Sequence, residues 1–237
     1  MTGEDVHVTD VTETTTADHV HLTGAKGRRH VRDQIKRALR HGDLVPGQRL
    51  VEQDLADTYN ATRSAVRDAL VDLSAEDIVV LVPQRGARVR VISVEEAMQT
   101  TECRAALERL CARKAALMAS DKQLDELREI GEKMTEAVEA GEFEAYSALN
   151  RRMHNLVVDA SGQKVAKRQL DRLSNQMVRY QFHLALRPGR SAESLLQHLD
   201  IINAVRARDP EAAAAAITAH LDSVIEQIKA TPSRTGL

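Results

Sequence analysis

The sequence predicts a mainly α-helical protein in two parts, and three observations predict it. The core has to be aliphatic, because 43% of the 237 residues are hydrophobic but only 2% are aromatic and Trp is absent. With 11 Gly and 5 Pro, such a composition favours helices. Apolar positions recur at helical spacing along most of the chain. Residues 79–92 break that pattern with two β-rich runs about a tight turn, dividing a short mixed module from a long all-helical remainder.

Residues 1–25 contain five carboxylates (Glu4, Asp5, Asp10, Glu13, Asp18) and no Lys or Arg. Thr-rich and without apolar periodicity, they read as a disordered acidic tail. From Arg28 to Arg40, Val31, Ile35, Ala38 and Leu39 fall at helical spacing, and Gly42, Pro46 and Gly47 then end that helix. A short helix at about 52–59 carries Leu55 and Ala56. Asn60 in "YNAT" suits a turn at positive φ. Thr62 is placed to cap a helix over 63–75, with Ala69, Leu70 and Leu73 on its buried side. Val79–Val82 and Ala87–Ile92 flank Pro83-Gln84-Arg85-Gly86, a hairpin with a basic tip. Helix, helix, turn, helix and hairpin, in that order, make a winged helix-turn-helix over residues 26–92.

Beyond Ser93 only helices are expected: 94–119, 121–139, 142–160, 164–187, 191–208 and 210–230. Ser120-Asp121, Gly141, Ser161-Gly162, Pro188-Gly189 and Asp209-Pro210 mark the breaks. Each helix has an apolar stripe and the links are short, so residues 93–230 read as a six-helix antiparallel bundle, followed by a flexible tail at 231–237. The alanine run 212–216 sits inside the last helix, where alanine is the best helix former.

Net charge is −2, which argues against a protein that simply coats DNA. The distribution is uneven, however. Residues 26–92 hold 13 basic and 9 acidic side chains, a local +4 behind the acidic tail. Phosphate attraction acts locally, so this is the informative number. No apolar run approaches the ~20 residues that span a bilayer, and no basic-then-apolar start marks a secretory signal. Cys103 and Cys111 are eight residues apart, ~12 Å along one helix and too far for a bridge. A reduced, cytoplasmic setting without membrane contact is expected.

Two sets of residues have chemistry to offer. Arg63 and Arg67 lie at i and i+4 on the second helix of the helix-turn-helix, where Arg can donate two hydrogen bonds to guanine in the major groove of double-stranded DNA. Thr62 and Ser64 can reach phosphate or base, and Arg85 with Gly86 at the hairpin tip can enter the minor groove. Taken alone, an arginine pair is more often a solvated face; the preceding turn, the cap and the wing favour the groove. The second set is His154, His198 and His220, each among apolar neighbours on a different helix of the bundle. One inward His is generally a satisfied core residue. Three on one bundle can converge on zinc or another divalent transition metal. His183 stays outside this set, with a structural role favoured. A metal held by three histidines is also what a hydrolase uses. No HExxH motif is present, and catalysis would leave the winged module unexplained, so no enzyme is expected.

The stretch "PGQRLVEQDLADTYNATRSAVRDALVDLSAEDIVVLVPQRGARV" resembles the DNA-binding domain of GntR-type bacterial transcription regulators. The helical remainder is similar to the FadR-type subgroup with its FCD effector domain. The resemblance implies a regulator, more often a repressor, and DNA contacts by Thr62, Arg63, Ser64, Arg67 and Gly86. A homodimer on a palindromic operator is expected, because one short recognition helix binds weakly and two-fold symmetry doubles it. It also implies a metal held by an Asp and three His, the Asp four residues before the first His. "NRRMH" puts Asn150 at that place, an amide oxygen without charge. Zinc is the first expectation, nickel or manganese the alternatives. Arg104 matches a position that faces the pocket and holds the carboxylate of a small organic acid. Read from spacing, it is equally a surface ion pair with Glu108. Two departures touch the DNA side: Gln53 stands where the family often has Arg, and Asn60-Ala61 where Gly-Val is more usual. A regulator for which the ion is itself the signal is the alternative reading.

Overall fold

The computed structural model describes residues 21–177 and 190–230. The acidic stretch 1–20, the Pro188-Gly189 break and the 231–237 tail lie outside the described residues, as does His183. Nine helices and three short strands occur among those described.

Helix α1 (Gly24–His41) buries Val31, Ile35 and Leu39 and packs on α3. It starts four residues before the expected Arg28, so residues 21–25 are not part of a disordered tail. Leu22 forms a parallel bridge with Ala61: its amide donates to Asn60 O at 2.8 Å and its carbonyl accepts from Thr62 N at 3.0 Å. These backbone bonds tie the chain just before α1 to the turn that precedes α3. A pattern of side chains could not reveal them.

Strand β1 (Arg49–Leu50) and helix α2 (Glu52–Thr58) follow. Asn60 takes φ +47, as its turn requires. Helix α3 (Arg63–Ala75) is capped by Thr62, whose hydroxyl oxygen accepts from Ala65 N at 3.3 Å. Ala65, Val66, Ala69, Leu70 and Leu73 are its buried side. Strands β2 (Val79–Val82) and β3 (Gly86–Val89) form the wing, with Val79 opposite Val89 and Val82 opposite Gly86. The sheet order is β1-β3-β2, all antiparallel. β1 was not expected, because two residues are too short to show a period of two. The second run of the hairpin stops at Val89 rather than Ile92, since β2 begins at Val79 and offers no strand partner beyond it. Ile92 packs instead with Ala97, Met177 and Ile228.

The remainder is helical: α4 (Val94–Met118), α5 (Asp121–Glu139), α6 (Phe143–Ala160), α7 (Lys164–Gln176), α8 (Arg190–Arg206) and α9 (Pro210–Lys229). α7 ends where Met177 N turns to Ser174 O, and the rest of the span expected to continue it lies outside the described residues. Ser120 and Gln123 close a reciprocal capping box at the start of α5, and Asp209 caps α9 with Pro210 at its first position. The bundle core gathers Leu127, Ile130, Met134, Met153, Ile201, Ile202, Ile217 and Leu221. α4 runs along α9 and α6, and buries small residues in its second half: Ala112, Ala115 and Ala116. Ahead of these it buries polar ones, Thr100, Thr101, Arg104 and Glu108. Burying polar groups costs free energy unless they are paired, so this is where a site is to be sought. Cys103 is exposed, Cys111 is buried, and both are free thiols.

The two parts meet at the end of α3. Asn175 Nδ2 of α7 donates to Glu76 Oε2 at 2.9 Å, and Arg172 Nη2 to Ala75 O at 3.4 Å. Lys36 of α1 also pairs with Glu76.

Candidate metal centre and nucleic-acid interface

On α3, the buried side fixes the open side. Because Ala65, Val66, Ala69 and Leu70 face the core, Arg63, Ser64 and Arg67 face solvent, the two arginine side chains 61% and 62% exposed. They are not loose. Arg67 makes a two-pronged contact with Glu52 at the start of α2, Nε to Oε1 at 3.0 Å and Nη2 to Oε2 at 2.7 Å. Arg63 Nη2 lies 3.8 Å from the same carboxylate. The Arg67 hydrogen bonds, with the charges of Arg67 and Arg63, hold Glu52 below the usual carboxylate range against the opposing effect of burial. The sequence analysis missed Glu52, because fifteen residues separate it from Arg67 and no helical spacing links them. Gln53 donates its amide to Asp57 on its own helix at 2.9 Å. At the wing, Gln84 and Gly86 have φ +58 and +81, and Arg85 is exposed at the tip. A Cβ on Gly86 would lie 2.3 Å from Leu50 O, so glycine is required for β1 to pair with β3 at all.

In the bundle, α6, α8 and α9 bring His154, His198 and His220 together, with a ring nitrogen from each inside a mutual distance of 4.8 Å. His154 Nε2 and His198 Nε2 are 3.4 Å apart. His198 and His220 are buried, and His154 is partly so. Each ring also has an outer partner on its Nδ1. His154 Nδ1 donates to Glu108 Oε2 at 2.9 Å, and His220 Nδ1 to Gln197 Oε1 at 3.0 Å. His198 Nδ1 lies 3.0 Å from the Tyr146 hydroxyl, and the same tautomer gives its proton to that oxygen. With each Nδ1 so engaged, Nε2 is the ring nitrogen left free for an ion, the arrangement by which outer hydrogen bonds orient metal-binding imidazoles. Burial, then the neighbouring imidazole charge and Arg190, push His198 and His220 well below their ordinary range and keep them in the neutral, ligating form.

Arg104 is not the surface ion pair that its spacing allowed. It is 7% exposed and Glu108 4%, with Nε and Nη2 of Arg104 donating to Glu108 Oε1 at 3.1 and 2.8 Å. Burial alone would raise the Glu108 carboxyl. The charges of Arg104 and His154 outweigh it and bring the value down to about 2. Glu108 thus ties Arg104 to His154. Only the folded bundle reveals this role, although the inward face of α4 was a legible hint. Asn150 sits one turn before His154 on α6, and its buried Oδ1 has no hydrogen-bond partner among the described residues. A buried acceptor without a partner costs ~1–3 kcal/mol, and a cation or its bound water would relieve it. Two imidazoles kept neutral by burial, a third beside them and one orphaned oxygen fit a divalent transition metal.

Residues 28–89 match the gntR family of bacterial regulatory proteins, and residues 99–223 match the FCD domain. The chain belongs to the GntR family, with an FCD domain as its helical part. This regulator is 28% identical over 203 residues to the HTH-type transcriptional repressor RspR of Escherichia coli K12, spanning 84% of this chain and 89% of that protein. To the probable D-xylose utilization operon transcriptional repressor of Paenarthrobacter nicotinovorans it is 27% identical over 200 residues, 84% of this chain and 88% of that one. Among solved structures, E. coli McbR/YncC superposes with a TM-score of 0.76 at 22% identity, covering 87% of this chain and 98% of the other, which shows the shared fold. A putative GntR regulator from Rhodococcus sp. RHA1 gives 0.70 at 20% identity over 85% and 97%. The regulator is a DNA-binding transcription factor and not an enzyme. Among the described residues no helix is long and apolar enough to cross a membrane.

Proposed function

We propose that this regulator is a repressor that binds a palindromic operator as a homodimer and is released, or retained, by a small carboxylate bound beside a metal in the helical domain. Thr62, Arg63, Ser64 and Arg67 read the operator, with Arg85 and Gly86 at the wing. His154, His198 and His220 hold the ion, zinc before nickel or manganese, with Asn150 as a fourth, uncharged donor. The bound ion supplies a Lewis-acidic positive charge for an anion to meet. Arg104 offers the anion its guanidinium from α4.

The observation that supports this most is the meeting of His154, His198 and His220, each with its Nδ1 engaged by Glu108, Tyr146 or Gln197. A route to the DNA side exists as well. α7 packs on α4 and α6 and is hydrogen-bonded to Glu76 at the end of the recognition helix. An effector that favours one packing of α4 and α6 therefore has a mechanical grip on α3, and a coupling of ~1–3 kcal/mol is the usual size.

The test is elemental analysis of purified wild type and His198→Ala, followed by operator titration with and without a carboxylic-acid panel. Wild type should retain about one divalent ion per chain and respond to an acid; the variant should do neither. Full metal occupancy in His198→Ala would sink the ligand set. One observation favours a second reading, in which the ion itself is the signal: Arg104 is already engaged by Glu108. Under that reading zinc alone, with no acid present, switches operator affinity.

A further inference from the structure

Arg190 opens α8 two turns before His198, with Ser194 between them on the same buried face. Its side chain is 7% exposed, and Nη1 donates at 3.0 Å to Ser223 Oγ, one turn beyond His220 on α9. The Glu193 carboxylate lies 3.3 Å away but is itself 53% exposed. Arg190 therefore lies between α8 and α9, the two helices that carry His198 and His220. Among the described residues the buried charges of the bundle are therefore two guanidiniums, Arg104 and Arg190, against one carboxylate, Glu108. None of the candidate ligands His154, His198, His220 and Asn150 carries a negative charge. A divalent ion bound there would deepen the excess of positive charge. Buried charge without a counter-charge is expensive, and one monocarboxylate offsets a single unit of it.

We infer that the chamber takes a dicarboxylate, one carboxylate on the side of the metal ligands and Arg104, the other on Arg190. This deepens the carboxylate reading given above and rests on it. Arg suits the second contact because its fork binds a carboxylate in two prongs. Glu193 holds that fork from the solvent side and can yield to an incoming carboxylate, since more than half of its own side chain is already in water. Asn150 fits the same logic: with an amide where an Asp would bring a negative charge, the ligand must bring it instead.

The experiment is calorimetric titration of the full-length, zinc-loaded protein with straight-chain dicarboxylates from malonate to adipate, monocarboxylates of matching length, and inorganic phosphate. The best dicarboxylate should bind at least ~10-fold tighter than its monocarboxylate partner, ~1.4 kcal/mol. Arg190→Gln should erase that ratio while leaving zinc content, melting temperature without acid, and monocarboxylate affinity unchanged. Arg190→Lys should keep part of it, and Ser223→Ala, which leaves the charge in place, most of it. Equal binding of the two acid series overturns the inference, as does a ratio that survives Arg190→Gln. Phosphate binding as tightly as the best dicarboxylate also overturns it, because a single dianionic group would then suffice. If no acid of either series binds, the carboxylate reading itself falls and takes this inference with it, a result distinct from monocarboxylates binding alone.

Discussion

The molecule uses the same pair twice, in opposite surroundings. On the DNA-binding module, Arg67 is clamped by Glu52 at 2.7–3.0 Å with the arginine 62% exposed. In the bundle, Arg104 is clamped by Glu108 at 2.8–3.1 Å with both side chains under one-tenth exposed. The geometry is nearly the same and the energetics are not. An exposed ion pair is worth ~0–1 kcal/mol, so water, phosphate or a guanine edge can replace Glu52 at little cost. A buried pair is different, because removing one partner strands a charge in low dielectric and costs ~3–5 kcal/mol. The first pair holds the exposed Arg67 side chain in place. The second is buried in the bundle and orients His154 through the other oxygen of Glu108.

The sharpest way to break this comparison is Glu108→Ala. Urea denaturation should show a loss of ~3–5 kcal/mol, with Arg104 left unpaired, and metal affinity should fall ~10–100-fold as His154 loses its outer partner. A loss under ~1 kcal/mol would put Glu108 in the same class as Glu52.

Next in size is the pH dependence of the metal-free protein. His198 and His220 have folded values well below the ordinary 6.5. The unfolded chain therefore takes up protons first, and stability falls as pH drops below about 6.5. The slope is ~1.4 kcal/mol per pH unit for each histidine. Glu108, brought from 4.5 to about 2, contributes stability that is complete above 4.5 and lost only as pH falls from there towards 2. The window between 6.5 and 4.5 thus belongs to the imidazoles. Denaturation midpoints of EDTA-treated protein at pH 7.5 and 5.5 check the sign, and bound zinc should oppose the loss. A flat profile over that interval would contradict the buried, neutral assignment.

On the exposed side the expected effects are smaller and of another kind. Arg67→Ala, or Arg63→Ala, should cost ~1–3 kcal/mol of operator discrimination with melting unchanged, as read by competition binding against non-operator DNA. Unaltered discrimination in both variants would remove α3 from the major groove. The smallest expected effect is that of Glu52→Gln on stability, within ~1 kcal/mol. The same variant should loosen Arg67 and weaken operator affinity beyond what its stability change explains. If Glu52→Gln unfolds the module, the contrast between exposed and buried clamps is wrong.

Much of this was legible in the chain, for a physical reason. Helical period, capping and turn chemistry are local properties. Thr62 as cap, the limits Arg63–Ala75, the strand Val79–Val82 and the positive φ of Asn60 all follow from neighbours within a few residues. Periodicity also turned His154, His198 and His220 inward, and two hydrophobic cores follow from the same patterns. The GntR and FCD resemblance matched the family to which the chain belongs.

What the sequence determined by itself, then, is which faces are buried and which side chains those faces present. Only the tertiary structure decided who meets whom. Glu52 reaches Arg67 across 15 residues, Glu108 reaches His154 across 46, and Tyr146 reaches His198 across 52. Leu22 ties itself to Asn60 and Thr62, and β1 exists because β3 offers it a ladder. Such pairings depend on how helices cross and how strands align, and those angles are set by the packing of the whole core rather than by any window of sequence.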